Sequence, residues 1–376
     1  MNNPAPNPLL ELRKLGESAW LDDISRGMLE DGSLARLIHD DGVAGLTSNP
    51  AIFANSIMTD PKYAQPIAQL LPSVSSGMAL YEELALQDLH DAAALLRPLY
   101  DSTSGGDGFI SMEVSPHLAY DSAGSLAEGK RLWQRLKLPN ALIKIPGTEA
   151  GLPVIRDLIA AGINVNVTLL FSPERYRAVA QAYMDGLSAR AATGAPLASV
   201  ASVASFFLSR IDTAVDKLLD GLTARGQTAA RSMRGKAAIA SACRAYEIYE
   251  ELLATPKWEA LAARGARPQR LLWASTSAKD PTFSPIKYVE ELVVPDTVNT
   301  MPLETLNAYR RLGRPELRLE RHIAEGCDAR ESLERLDIDM DAVAVQLEQE
   351  GVAKFIEPFD KLQKWLEGRR RGPAAT

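Results

Sequence analysis

Cysteine is scarce in this chain: Cys243 and Cys327 are its only two, and neither sits in a metal-like pair. That excludes a disulfide framework and points to a reducing compartment. Histidine is as thin, with His39, His90, His117 and His322 scattered. No His/Cys/Asp grouping has ligand spacing, so no metal and no cofactor is expected. No run of about 18 or more apolar residues occurs, so nothing is expected to span a membrane. Met1 to Pro8 hold neither a basic stretch nor an apolar run, so no signal peptide is expected and the chain reads as cytoplasmic. Positive charge is not in excess: 41 Lys and Arg stand against 48 Asp and Glu, a net charge of -7. A general nucleic-acid binder needs a basic surface, so that class is disfavoured. Small anionic substrates stay open, since a few local cations suffice for them. A P-loop is missing, and so is a glycine-rich turn after the first strand, where Asp22-Asp23-Ile24-Ser25-Arg26 stands instead. No short ankyrin-like or TPR-like repeat is present.

What is present is an alternation of short apolar runs with amphipathic helical stretches. Strands are expected at 18–22, 43–47, 108–113, 140–145, 163–169, 199–205, 270–275 and 293–298. Eight strands alternating with helices predict an α/β fold, a (β/α)8 TIM barrel, over an open doubly wound sheet. Ser125-Leu-Ala-Glu128 matches a capping box. Ser172-Pro173-Glu174 offers an N-cap, a proline at the first helical position and an acid at the positive end of the helix dipole. Ala237 to Leu253 carries a helical apolar stripe. Two parts exceed a minimal barrel. Pro50 to Gly108 has room for two or three helices, one near Ala79–Leu96; beyond Pro302, helices are expected at Leu303–Arg311, Leu317–Ala324, Asp339–Gly351 and Ala353–Leu366. The whole reads as one catalytic domain over 1–368, with a helical extension from about 302 and a disordered tail at 369–376.

Chemistry is suggested by polar residues that share one parity within apolar strands. Alternate side chains of a strand face opposite sides. In Ile163-Asn164-Val165-Asn166-Val167-Thr168 the apolar residues would face the helices, turning Asn164, Asn166 and Thr168 to the barrel axis. The same reading turns Lys144 inward between Ile143 and Ile145, Ser111 and Glu113 inward around Met112, Thr47 and Asn49 inward, and Asp22 inward at the end of the first strand. Ser205 and Ser275 end their strands on the same parity. Most of these lie near the C-terminal ends of their strands, where barrel enzymes place their chemistry. Burying an ammonium is costly unless it neutralises or finds partners, and the neutral amine is the form that attacks a carbonyl. Carboxylates beside it could move protons. A second group would hold an anion: Arg210 near a helix start, with Ser275-Thr276-Ser277-Ala278-Lys279 after the next strand. Each residue alone admits a plainer role. Lys144 could be ion-paired, Asp22 or Glu113 could cap a strand end, Asn166 and Thr168 could bond backbone, and Arg210 could pair with Asp212 or Asp216 on its own helix. The convergence of parity and strand-end position is what favours function.

At these residues the chain resembles the transaldolase family, in particular its longer bacterial subgroup. Leu46-Thr47-Ser48-Asn49-Pro50 is similar to the family's second-strand signature, Ala141-Leu142-Ile143-Lys144-Ile145-Pro146 to its Schiff-base strand, and Asn164 to Ser172 to its fifth-strand signature. With Ser111–Val114, Ser205–Arg210 and Ala274-Ser275, the resemblance runs from about residue 18 to 310. It implies that Lys144 forms a Schiff base, that Asp22 takes the proton of the substrate C4 hydroxyl, and that Glu113, helped by Thr168, activates a water. It also implies that Asn49, Asn166 and Ser205 contact substrate, and that Arg210 and Ser275 hold phosphate. Where many members carry an arginine after that serine, this chain has Ser277-Ala278-Lys279, so Lys279 would serve as a point charge and not a fork. Asp23 neighbours Asp22; parity and motif spacing favour Asp22. The implied reaction moves a dihydroxyacetone unit between ketose and aldose phosphates of the pentose phosphate pathway. Partners are then sugar phosphates, with no nucleic acid and no membrane, and the enzyme is a monomer or homodimer. The alternatives are a class I aldolase releasing free dihydroxyacetone or acting on deoxyribose phosphate, and a non-catalytic sugar-phosphate-binding barrel.

Overall fold

The computed structural model describes residues 7–371. Seven strands form one sheet: β1 (Glu17–Leu21), β2 (Ile110–Glu113), β3 (Ala141–Pro146), β4 (Val165–Leu170), β5 (Ser202–Phe207), β6 (Arg270–Ala274) and β7 (Thr297–Met301). Every pairing is parallel, in the order β1-β7-β6-β5-β4-β3-β2. Their residues are almost all buried, as expected when helices cover a closed parallel sheet.

The gap between β1 and β2 is filled by the segment expected as the second strand. Leu46 bridges Leu21 and Gly45 bridges Phe109, both in parallel. On one side Ala44 N–H donates to Ala19 O at 2.8 Å and Thr47 N–H to Leu21 O at 2.9 Å; on the other, Leu46 N–H donates to Phe109 O at 2.8 Å. The barrel therefore closes through a short eighth run. Its brevity has a local cause: a Cβ on Gly45 would lie 2.4 Å from the Trp20 ring, so the chain crosses that ring where only glycine fits.

Several boundaries differ from the expected ones. The last strand is Thr297–Met301 and not 293–298: Pro295 offers no N–H, and Asp296 sits at φ 60°, so Val293 and Val294 are core residues of a turn. The strands expected at 163–169 and 199–205 run instead over Val165–Leu170 and Ser202–Phe207. Below them the Asn164 side chain donates to Pro139 O and Ala141 O and accepts from Ala201 N, doing part of a ladder's work. Asn164 is thus a brace at the barrel floor.

The capping box at Ser125 and Glu128 does not form. The helix begins earlier, at Ser122, capped by Asp121, and Ser125 lies inside it with its hydroxyl on Leu118 O. Ser172 does cap the helix Pro173–Ala192, accepting from Arg175 N at 3.3 Å. Between the second run and β2 stand helices Pro50–Thr59, Ala64–Leu70 and Gly77–Ser102. The extension after β7 holds Leu303–Leu312, Leu319–Arg335 and one long helix, Met340–Arg371. Two expected helices are thus one, continuous through Gly351 and Pro358. It includes 369–371 of the expected tail, while 372–376 lie outside the described residues. This helix packs on Pro50–Thr59, on Gly77–Ser102, on Ser209–Ala224 and on the end of β4, so it spans the C-terminal mouth of the barrel. Among the described residues no helix is long and apolar enough to cross a membrane.

Candidate active site

Strand register sets the first layer. Glu113 of β2 is level with Lys144 of β3, and Lys144 is level with Asn166 of β4. Residues level across neighbouring strands point the same way, so all three enter the barrel together. Lys144 Nζ is buried, donates to Ser48 O at 3.0 Å and stands 3.4 Å from Glu113 Oε2. Asn166 continues the layer: its amide donates to Ser111 Oγ at 3.0 Å and its Oδ1 accepts from Ser205 Oγ at 2.7 Å. That chain of bonds fixes which face of Asn166 and Ser205 meets the cavity. Thr168 Oγ1 is buried with no protein partner among the described residues. Just past it the ladder is irregular, with Leu169 at φ 62° and a register shift against β5 before Leu170 pairs with Phe206.

Asp22 follows β1 directly, its N–H on Met301 O at 2.8 Å. Thr47 donates to Asp22 Oδ1 at 2.6 Å and also contacts Thr300 Oγ1 at 2.7 Å. Burial pushes the Asp22 carboxyl above its usual range, and attraction to Lys144, the Thr47 bond and Arg210 oppose the shift. Burial also pushes Glu113 up, to about 7, against the pull of Lys144. Both oxygens of Glu113 are shut from solvent and lack a well-formed hydrogen bond, so Lys144 is their principal polar neighbour. Asp23, the neighbour weighed against Asp22, is not on the cavity wall, and burial pushes its carboxyl up while the Ile24 N–H opposes the shift.

A cavity of about 140 Å³ opens above this layer. Asp22, Thr47, Asn49, Lys144, Ser205, Phe207, Arg210, Ala274, Ser275, Ser277, Lys279, Thr300, Pro302 and Phe355 line it. Every residue expected at the site is therefore on this wall, or, for Glu113, Asn166 and Thr168, in the buried layer around Lys144. Asn49 caps the helix Pro50–Thr59, accepting from Ala51 N and Ile52 N at 3.0 Å, which turns its amide nitrogen away from the helix.

Cations gather at one end of the cavity. Arg210 occupies the first turn of the helix Ser209–Ala224, 5.5 Å above the Phe207 ring, with Nη1 buried and unpaired among the described residues. Burial draws its pKa down, while Glu350 and Asp22 pull it back up. The pairing with Asp212 or Asp216 does not occur: Asp212 is held by Ala238 N, Lys287 and Tyr288, and Asp216 by Gly235 N. A half-buried guanidinium at a helix start, with one nitrogen buried and unpaired among the described residues, is a ready anion receptor. Ser275, at φ 54°, shares a hydroxyl contact of 2.9 Å with Ser209, and Lys279 Nζ reaches Ser277 Oγ at 2.7 Å. An amine, two carboxyls with raised proton affinity and a cationic end in one cavity suit covalent chemistry on a phosphorylated carbonyl compound.

Reading the sequence missed Phe207, Thr300 and Phe355, while Ser277 stood within the anion-holding group it expected. Phe207 shares the parity of Ser205, which was a usable signal. Phe355 had none, because an aromatic residue on a helical stripe reads as core. Among the described residues, no group of three or more His, Cys, Asp or Glu stands where it could hold a metal ion.

Comparison with known proteins agrees with this chemistry. A family model described as transaldolase/fructose-6-phosphate aldolase matches residues 19–366. A transaldolase of Thiobacillus denitrificans is 47% identical, over 94% of this chain and 97% of its own. Transaldolase 2 of a Nostoc species is 43% identical over 97% and 98%, and a transaldolase of Saccharopolyspora erythraea 45% identical over 93% and 94%.

Proposed function

The chain belongs to the transaldolase/fructose-6-phosphate aldolase family, and on that premise we propose how its residues divide the transaldolase reaction, with Lys144 as the nucleophile. The observation that carries the reading is one buried amine, Lys144 Nζ, 3.4 Å from Glu113 and sharing a cavity with Asp22. The enzyme is a transferase. It takes a dihydroxyacetone unit from a ketose phosphate, such as sedoheptulose 7-phosphate, and gives it to an aldose phosphate, such as glyceraldehyde 3-phosphate. Erythrose 4-phosphate and fructose 6-phosphate result.

Lys144 attacks the ketose carbonyl. Glu113, with Thr168, hands protons through a water so that the carbinolamine loses hydroxide as water and an imine forms. Asp22 takes the C4 hydroxyl proton, the C3–C4 bond breaks, and the aldose phosphate leaves. The dihydroxyacetone enamine on Lys144 then bonds to the acceptor's aldehyde carbon, whose oxygen takes the proton back from Asp22; water, activated by Glu113, adds to the C=N carbon of the new imine and the C–N bond breaks, freeing the new ketose phosphate and the Lys144 amine. Asn49, Asn166 and Ser205 orient the sugar hydroxyls. Arg210, Ser275 and Lys279 hold the phosphate, Lys279 as a point charge. The enzyme works in the cytoplasm, as a monomer or homodimer; its two free cysteines are in keeping with a reducing compartment.

Borohydride reduction with fructose 6-phosphate tests the nucleophile. The peptide containing Lys144 should gain a dihydroxyacetone-derived mass, and Lys144→Ala should abolish adduct and turnover. A label on any other lysine overturns the assignment.

A further inference from the structure

We infer, resting on the reading of Asp22 as the base, that Thr300 of β7 is a positioning residue for carbon–carbon cleavage: it donates to Thr47, which thereby directs its one hydroxyl proton at Asp22. Thr47 Oγ1 lies 2.6 Å from Asp22 Oδ1 and 2.7 Å from Thr300 Oγ1. An ionised carboxylate only accepts, so the Thr47 proton points at Asp22. The contact between the two threonines then has a single sense, with Thr300 as donor and Thr47 as acceptor. Both threonines are buried, and among the described residues Thr300 Oγ1 has no other hydrogen-bond partner.

The fold brings the two hydroxyls together from either side of β1. Leu46 bridges Leu21, which puts Thr47 level with Asp22. On the other side Thr300 pairs with Trp20, the residue that precedes Asp22 on the same face of β1. Each backbone is tied down. Thr47 N–H donates to Leu21 O at 2.9 Å, and Asp22 N–H to Met301 O at 2.8 Å. The carbonyl of Thr300 accepts from Thr276 Oγ1 at 2.9 Å. Donor, relay and base are therefore mounted on three segments bonded to one another, and the direction of the hydroxyls is what remains to be set.

Cleavage moves the C4 hydroxyl proton to Asp22 while the C3–C4 electron pair passes to the protonated imine, leaving an enamine and an aldehyde. Asp22 must be ionised at that moment. Burial works against this, whereas Lys144, the Thr47 bond and Arg210 favour the charge. Glu113 and Asp23 are the like charges that face it, Glu350 acts on Arg210, and Lys279 stands on the same wall. A hydroxyl that itself accepts a hydrogen bond is a stronger donor. Thr300 thus strengthens the Thr47 bond, which steadies the carboxylate in one orientation and in its charged form.

Single turnover of fructose 6-phosphate, quenched with borohydride from pH 5 to 8, separates the six-carbon adduct from the three-carbon adduct. Thr300→Val keeps the shape and removes the hydroxyl. It should form the six-carbon adduct at the parent rate and convert it to the three-carbon adduct about three- to tenfold more slowly. The rise of that conversion with pH should move to higher pH, because the charged form of Asp22 has lost support. Thr300→Ala should do the same and serves if the valine variant folds poorly, while Thr300→Ser should match the parent. An unmoved pH limb in the variants without the hydroxyl, or a serine variant as slow as valine, would overturn the inference. A limb that persists in Asp22→Ala would instead overturn the reading of Asp22 as the base.

Discussion

Two carboxyls, Glu113 buried and Asp22 half-buried, flank Lys144, and their surroundings assign them different work. Glu113 has little but the amine to answer its charge, whereas Asp22 is anchored by Thr47 at 2.6 Å and feels Arg210 as well. Substitutions should therefore stall the reaction at different points. Asp22→Ala should still form a reducible adduct with fructose 6-phosphate, but one carrying the whole six-carbon sugar. Accumulation of the three-carbon adduct at the normal rate would free cleavage from Asp22. Glu113→Gln should slow the appearance of any adduct. The pH dependence follows from its raised pKa. Carbinolamine dehydration uses the protonated carboxyl, so adduct formation in the parent should fall as pH rises through about 7. Glu113→Gln should be slow at every pH and lack that limb. Borohydride quench at intervals across pH 6 to 8, read by intact mass, measures both; a limb that persists in the glutamine variant belongs to another group.

Gly351 decides how closely the C-terminal helix sits on the barrel. A Cβ there would fall 2.9 Å from Leu169 Cδ2 and 3.5 Å from both Arg210 Nη1 and Phe171. Helix propensity alone favours replacing a mid-helix glycine, by roughly 1 kcal/mol for alanine. Contact with a packed core opposes any larger side chain, at about 1–3 kcal/mol. Gly351→Leu should therefore lift the helix and disturb Arg210. KM for fructose 6-phosphate should rise about tenfold, in line with the cost of weakening a charge-assisted contact, while unphosphorylated fructose is affected less. Gly368→Ala, on the same helix with nothing within 4 Å, should leave both constants unchanged. Equal changes for the two sugars would remove the helix from the phosphate end.

Stability of the whole molecule should carry the mark of a carboxyl outside the site. Glu17 is fully buried between β1, β7 and the helix Leu303–Leu312, with Thr297 at 3.4 Å and Tyr309 near it, and burial pushes its pKa up to about 8 from an ordinary value of 4.5. The folded chain then holds a proton that the unfolded chain gives up in that interval, so stability falls as pH rises from about 4.5 to 8. The ceiling on this change is about 5 kcal/mol. Glu17→Gln should flatten urea midpoints measured from pH 5 to 8 relative to the parent, and an identical slope in both would assign the effect elsewhere. Glu17 drew no attention in the sequence, because a carboxyl at a strand start reads as exposed. What the sequence determined by itself was alternation: eight apolar runs with intervening helices, and a single parity on which Asp22, Asn49, Glu113, Lys144, Asn166, Thr168 and Ser205 all fall. Period-two strands and helical stripes are local properties, so they survive in one dimension. Tertiary structure decided the rest. Where Asn164 side-chain bonds or the Pro295 turn end a ladder depends on neighbouring strands. Whether Arg210 pairs with Asp212 depends on Lys287 and Tyr288 taking that acid first. That Phe355 stands over Lys144 depends on a helix more than 200 residues downstream crossing the barrel mouth. Contacts made by long-range packing leave no periodic trace in the chain, and the roof of this site is built entirely from them.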